Sequence, residues 1–214
     1  NAYIAVAAIG MSMVIISGNI DVSVGSLIGC MATLSGSLAV AGWPIPLSWL
    51  VPVVASMAIT SVMGLLVAYL RIPSIVVSLG MMSILKGSLI IVTGGAWISN
   101  LPEGYALAQM RPLGVPMPVW FMVVLTAAAA AWMRYSAAGR AIYAVGGNAE
   151  AARLSGISRE RVVLMVFLLH GMFAGIAAVL FATQLSVIQS TVPPNLELTI
   201  ITASVVGGGS IRGG

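Results

Sequence analysis

The sequence predicts an all-α integral membrane protein: a polytopic helix bundle of about six complete spans and a truncated seventh. Three observations carry this prediction. Of 214 residues, 60% are hydrophobic and 7% are charged, whereas soluble domains hold roughly 45–50% and about 25%. Mean hydropathy is +1.10, which also excludes disorder, a state of low hydrophobicity and high net charge. The apolar residues run unbroken for about 20 positions at a time, the length that crosses a bilayer as a helix. Barrel strands would alternate over roughly 10 residues.

Runs of that length give spans at 1–17, 22–41, 47–70, 73–93, 117–133 and 162–182, with a further one beginning near Glu197. The breaks carry turn chemistry: Gly18-Asn19, Gly42-Trp43-Pro44-Ile45-Pro46, Arg71-Ile72-Pro73, Gly94-Gly95 and Pro193-Pro194. The chain starts at Asn1 without a basic n-region and stops inside an apolar, glycine-rich stretch at Gly214. It is read as a segment of a longer membrane protein, truncated at both ends. Cys30 is the single cysteine, so no intrachain disulfide is available.

Orientation follows from the cations. Of nine basic residues, Arg134, Arg140, Arg153, Arg159 and Arg161 fall between 134 and 161, which assigns that loop to the cytoplasm. Arg71 then falls inside as well, while Lys86 and Arg111 depart from the rule. Trp43, Trp49, Trp97 and Trp120 fall near outer ends, where indole rings prefer the headgroup region. The net charge of +4 rests on so few cations that no nucleic-acid partner is expected. The lipid bilayer is the expected surroundings.

Polar residues inside the apolar pattern are the candidate functional features. Ser17 to Ser26 interrupts the first forty residues with Asn19, Asp21, Ser23 and Ser26 beside Gly18 and Gly25. One reading is a tight turn with Asp21 as N-cap to a helix starting at Val22. The other is a discontinuous helix dipping to membrane depth, its polar groups facing the bundle interior. Within the 134–161 loop, Asn148 suits an N-cap, Ala149–Leu154 a short helix and Gly156 a C′ position. That helix either rests on headgroups or docks in a groove of another protein; its small alanines favour no deep lipid contact. Residues 207–214 hold five glycines in eight positions, which suits close packing or a second broken helix. No Walker pattern occurs, so no nucleotide site is assigned. Glu197 is read as an interfacial anchor, with a cavity position as the alternative. His170 is read as a neutral core histidine bonded to a neighbouring helix rather than a metal ligand. Lys86 either snorkels or marks an early helix end before Gly87-Ser88. No nucleophile–base pair, carboxylate dyad or metal cluster is visible, so no catalytic residue, metal or cofactor is assigned to this chain.

Four stretches together resemble the permease subunits of bacterial ABC sugar importers, the ribose/rhamnose/furanosyl-autoinducer group of the branched-chain amino acid/ribose permease family. Gly18-Asn19-Ile20-Asp21-Val22-Ser23-Val24-Gly25-Ser26 is similar to G-x-I-D-L-S-V-G-S. Ile72 to Met82 is similar to I-P-S/A-F-I-V-T-L-G-M, and Gly139 to Ile157 to G-R-x-I-Y-A-x-G-x-N-x-x-A-A-R-x-S-G-I. Glu197 through Gly214 resembles E-L-x-A-I-A-A-x-V-x-G-G-T-S-L-x-G-G, departing from it at Ile201-Thr202-Ala203-Ser204.

The resemblance implies a single transmembrane permease domain over 1–214 in a bacterial inner membrane, with 134–161 as a cytoplasmic coupling loop. Gly147, Asn148, Ala149, Glu150, Ala151, Ala152, Arg153, Leu154 and Gly156 would form the part that contacts the ATPase. Asn19, Asp21, Ser23 and Ser26 would lie near the translocation path, which favours the broken helix. Implied partners are cytoplasmic ATPase subunits that bind ATP and Mg, a second permease and a periplasmic sugar-binding protein. Thr93 to Pro102 resembles the rhamnose and furanosyl-autoinducer members. The competing expectation, from the residues alone, is an ion-coupled secondary transporter with Asp21 as its coupling carboxylate. A third is a membrane scaffold without flux.

Overall fold

A computed structural model describes residues 1–207. Among them the chain forms α1 (Ala2–Ile16), α2 (Val24–Val40), α3 (Ile45–Ala68), α4 (Ser74–Thr93), α5 (Met117–Tyr135), α6 (Ala137–Gly147), α7 (Ala149–Leu154), α8 (Arg159–Ala182) and α9 (Leu196–Val206). Two single 3-10 turns, Leu107–Gln109 and Pro112–Gly114, sit between α4 and α5. The only strand-like pairing among the described residues is an isolated bridge between Ile98 and Ile188. The expected all-helical class is therefore observed. The second broken helix expected over 207–214 falls, apart from Gly207, outside the described residues.

Among the described residues, four helices are long and apolar enough to cross a membrane: α3, α4, α5 and α8. The first two expected spans are shorter apolar helices, α1 of 15 residues and α2 of 17. Prolines set several starts. Pro44, Pro73 and Pro116 each stand at the N-cap in an extended conformation, with ψ of 131°, 131° and 137°. The fixed φ of proline and its missing N–H cost nothing where no helical bond is due. α4 runs through Lys86 and Gly87 to Thr93 and stops where Gly94 turns left-handed at φ 59°, so Lys86 is half-buried in mid-helix and does not mark an early end.

α8 is the axle of the bundle. Its most extensive packing is against α3, then α1 and α2, while α1 and α2 make no substantial contact with each other. Glycines permit the close approach to α3. A Cβ on Gly171 would meet Met57 Cα at 2.8 Å and the Ser56 carbonyl at 2.8 Å; one on Gly175 would meet Val53 Cα at 2.6 Å. From the facing helix, a Cβ on Gly64 would meet Phe167 Cβ at 2.9 Å. With backbones this near, Ser56 Oγ donates to the Gly171 carbonyl at 2.7 Å. Small residues and short cross-helix bonds are how helices associate where lipid removes the hydrophobic drive. The G-x-x-x-G spacing of Gly171 and Gly175 is the sequence signal for this seam.

A second small core closes the far end, where Ala32, Ala39, Tyr105, Ala182 and Ile188 are buried together. Pro52 lies inside α3 and has no N–H for the carbonyl four residues earlier, that of Ser48. Ser35 Oγ, from α2, donates to this carbonyl at 2.8 Å and itself accepts from the Tyr105 hydroxyl at 2.8 Å. The helix interruption is thereby satisfied across the interface, as it must be where water is excluded. The Tyr105 bond also pins the 94–116 segment onto the bundle.

Candidate functional site

The segment between α1 and α2 builds a buried polar centre. α1 ends at Ser17, whose hydroxyl donates to the Val14 carbonyl at 2.7 Å. Gly18 then turns left-handed at φ 79°, a conformation that costs glycine least. Asn19 folds back, its amide donating to the Ser17 carbonyl at 3.2 Å and hydroxyl at 3.1 Å. The backbone N–H of Ile20 donates to Ser74 Oγ of α4 at 3.1 Å. Asn19, Asp21, Ser23 and Ser26 are all buried, as expected for polar groups that face a bundle interior rather than lipid.

Asp21 holds the centre together. Its Oδ1 accepts from the Ser23 N–H at 2.7 Å and the Ser23 hydroxyl at 2.6 Å. α2 therefore starts at Val24 with Ser23 at the N-cap position. The expectation of a helix from Val22 capped by Asp21 is corrected: Asp21 makes the expected bond to the Ser23 N–H, but it closes a turn there and the helix begins two residues later, at Val24. Oδ2 lies 3.1 Å from His170 Nε2, with both side chains fully buried. The bond joins the carboxylate of the break to the imidazole of α8. His170 Nδ1 has no partner among the described residues and faces α1 at Gly10, where an added Cβ would come within 3.0 Å of it.

The segment touches two levels of the bundle: Ile20 meets Ser74 at the start of α4, and Asp21 meets His170 in the middle of α8. His170 lies eleven residues beyond Arg159, about 17 Å along the helix at 1.5 Å per residue. A turn lying at the surface end of α8 would not meet its middle. The chain between α1 and α2 is thus buried at Asp21 against α8, while Gly18 stays exposed. His170 bonds across the bundle as expected, but to an acid 149 residues away in sequence, a pairing that sequence reading does not reach. Among the described residues no three His, Cys, Asp or Glu side chains converge as metal ligands would.

The second candidate region is a rigid elbow. Ser136 caps α6, accepting from the Gly139 N–H at 2.8 Å. In sequence, residues 137–147 read as loop. Three glycines lower the helix propensity there, yet Gly139, Ile142 and Val145 give it a buried face. Asn148 ends α6 and caps α7, its Oδ1 accepting from the N–H groups of Glu150 at 3.1 Å and Ala151 at 3.0 Å. The other end is closed by a Schellman motif: Gly156 has φ 82°, its N–H donates to Arg153 and the Ile157 N–H donates to Ala152 at 2.9 Å. Ser158 then caps α8.

Ala152 is buried under this elbow, whereas Glu150, Ala151, Arg153 and Leu154 are exposed, Leu154 at 78%. Arg153 grips Glu150 at 2.6 Å, which holds the Glu150 carboxyl below its ordinary range. A cleft of about 570 Å³ beside the elbow is lined by Arg71, Ala149, Glu150, Arg153, Arg159 and Glu160. Arg71 thus lies at the same end of the bundle as the 134–161 loop. The polar centre and the elbow are separate, with α8 running from one to the other. Glu197 belongs to neither free surface: it is half-buried at the contact of α9 with α2, where a Cβ on Gly25 would fall 2.5 Å from its Oε2.

Comparison with known proteins adds the following. Residues 1–214 match the family described as the branched-chain amino acid transport system permease component. The chain is 39% identical over 210 residues to the autoinducer 2 import system permease protein LsrC of Salmonella paratyphi B, covering 97% of the chain and 60% of the relative. Against the protein of the same name from Escherichia coli K12 it is 37% identical over 208 residues, covering 97% and 61%. The chain thus spans about three fifths of the length of these relatives. No solved structure matches it.

Proposed function

The chain belongs to the branched-chain amino acid transport system permease family, and from that premise we propose that it forms the membrane path of an ATP-driven importer. The substrate class is a furanosyl sugar of the autoinducer 2 kind, by analogy with the import permeases it is similar to. α1 and α2 cross the bacterial inner membrane together with the four longer helices. The 134–161 loop lies in the cytoplasm. A second permease, a periplasmic binding protein and a pair of ATPases that hold ATP and Mg complete the importer. This subunit moves substrate and does no chemistry.

One observation carries the reading: α7 is a six-residue helix fixed at both ends and pushed out of the bundle. An unsupported helix this short is unstable in water. Here the Asn148 cap, the Schellman motif and buried Ala152 hold it ready-made. It presents Ala151, Leu154 and the Glu150–Arg153 pair, a small apolar tip with fixed charges, which suits a groove on a partner protein. A rigid projection transmits displacement; a flexible loop absorbs it. In the polar centre, Asp21 has both oxygens engaged, which gives less support to an ion-coupled carboxylate needing access to water.

The test is purification of the full-length protein from its native membrane in mild detergent. An ATPase that accompanies it, and is lost when residues 149–153 are replaced by a Gly/Ser linker, is the expected result. Uptake of autoinducer 2 that persists without ATP and collapses with a protonophore would overturn the proposal in favour of ion coupling.

A further inference from the structure

We propose that the His170–Asp21 contact is a transmission clasp, through which movement of the elbow at α7 is delivered by α8 to the polar break between α1 and α2. This rests on the reading of α7 as the partner-binding helix. Three observations lead to it. First, α7 and α8 are joined stiffly: the Ile157 N–H bonds back to Ala152, and the Ser158 hydroxyl accepts from the Arg161 N–H. No glycine-rich hinge separates them beyond Gly156, which is itself locked by the Schellman bonds. Second, α8 is a continuous 24-residue helix without proline, so a displacement at Arg159 arrives at its middle. Third, at that middle His170 makes the one side-chain hydrogen bond, among the described residues, between α8 and the break.

The surroundings favour a contact that can be pulled. Gly10 lets α1 pack closely on His170, and Nδ1 has no hydrogen-bond partner among the described residues, so the bond through Nε2 is the imidazole's one directional tie. Asp21 passes the constraint directly into the backbone of α2, because its other oxygen holds the Ser23 N–H and hydroxyl. From Asn19 to Asp21 the chain is not helical; the Asn19 N–H closes back on the Val14 carbonyl at 3.0 Å and the Ile20 N–H bonds Ser74 Oγ at 3.1 Å, so a pull on Asp21 is passed on to α1 and α4 as a shift of this segment. His170 is thus a positioning residue that acts on the path through Asp21.

The experiment uses the full-length permease assembled with its ATPase, and reads amide hydrogen exchange with and without ATP plus vanadate. The double variant Asp21→Asn, His170→Leu cuts the link without leaving a buried unpaired charge, and the amide oxygen it introduces can still accept from the Ser23 N–H. In the wild type, nucleotide trapping should change exchange at residues 149–154 and at residues 17–24. In the double variant the first response should persist while the second falls by about tenfold, within the usual range of site-to-site coupling. His170→Gln, whose amide can reach the same carboxylate, should restore it. A break that still responds in the double variant, or one that does not respond in the wild type while α7 does, overturns the clasp alone. If α7 itself is unresponsive in the wild type, the partner-helix reading fails and the clasp with it. Should the double variant not assemble, His170→Leu alone, which also removes the bond to Asp21, is read in the same way. Failure of every variant to assemble would also overturn the proposal, since the pair would then serve packing only.

Discussion

Replacing Ser35 with alanine should destabilise the protein far more than the loss of one hydroxyl suggests, and the reason is Pro52. Ser35 Oγ donates to the Ser48 carbonyl that Pro52 leaves without a helical partner, and accepts from Tyr105. Ser35→Ala therefore strands two buried groups. Each orphan costs about 1–3 kcal/mol. Cross-helix bonds in membrane proteins average about 0.6 kcal/mol because the unfolded reference also finds partners. Since Ser35, Ser48 and Tyr105 are buried, a net loss of about 2–4 kcal/mol is expected. Pro52→Ala supplies an N–H to the Ser48 carbonyl, so Ser35→Ala in that background should cost about 1–2 kcal/mol less. The assay is a double-mutant cycle on full-length protein, unfolded reversibly in mixed micelles of mild detergent and dodecyl sulfate. Equal cost of Ser35→Ala with and without Pro52 would refute the idea that the hydroxyl compensates the proline.

Burial pushes the Tyr105 hydroxyl up to about 12, the Ser35 hydrogen bond opposing this in part. A raised folded-state value means stability is intact below the ordinary value near 10 and is lost as pH climbs from there to about 12. Alkaline unfolding in that window should be blunted in Tyr105→Phe, as read by a pH series of melting temperatures. Asn148→Ala removes the cap of α7 and should speed amide exchange at Glu150 and Ala151, a local loss of about 1 kcal/mol, with little change in global melting. Gly171→Leu drives a side chain into Met57 and Ser56; overpacking there should cost about 3 kcal/mol or more and lower the yield of folded protein in detergent. Ser56→Ala, which removes only the cross-helix bond to Gly171, should be far milder in the same measurement.

The extent to which sequence reveals this architecture depends on distance along the chain. Helix positions are legible because twenty consecutive apolar residues leave few alternatives, and Pro44, Pro73, Pro116 and Gly94 mark ends by backbone restriction alone. The α7 helix is legible from Asn148 and Gly156, whose roles are local. α6 is not, because Gly139, Gly146 and Gly147 argue against a helix; the buried face of Ile142 and Val145 that outweighs them exists only once the bundle is formed. Lys86 beside Gly87-Ser88 suggests a helix end, yet α4 passes through it because nothing in its neighbourhood breaks backbone bonding.

By itself, then, the sequence determined the helical class, the positions of the long apolar helices, the capped elbow and the polar interruption at 17–26, since each follows from periodicity, composition or a cap within a few residues. Tertiary structure alone decided that Asp21, while bonding Ser23 ahead of α2, also faces His170 in α8, and that Ser35 answers Pro52. Those partners lie 149 and 13 residues apart in the bonds observed, and no local pattern encodes them. Burial does: where water is excluded, every carboxylate and freed carbonyl must find a partner, and packing determines which one is within reach.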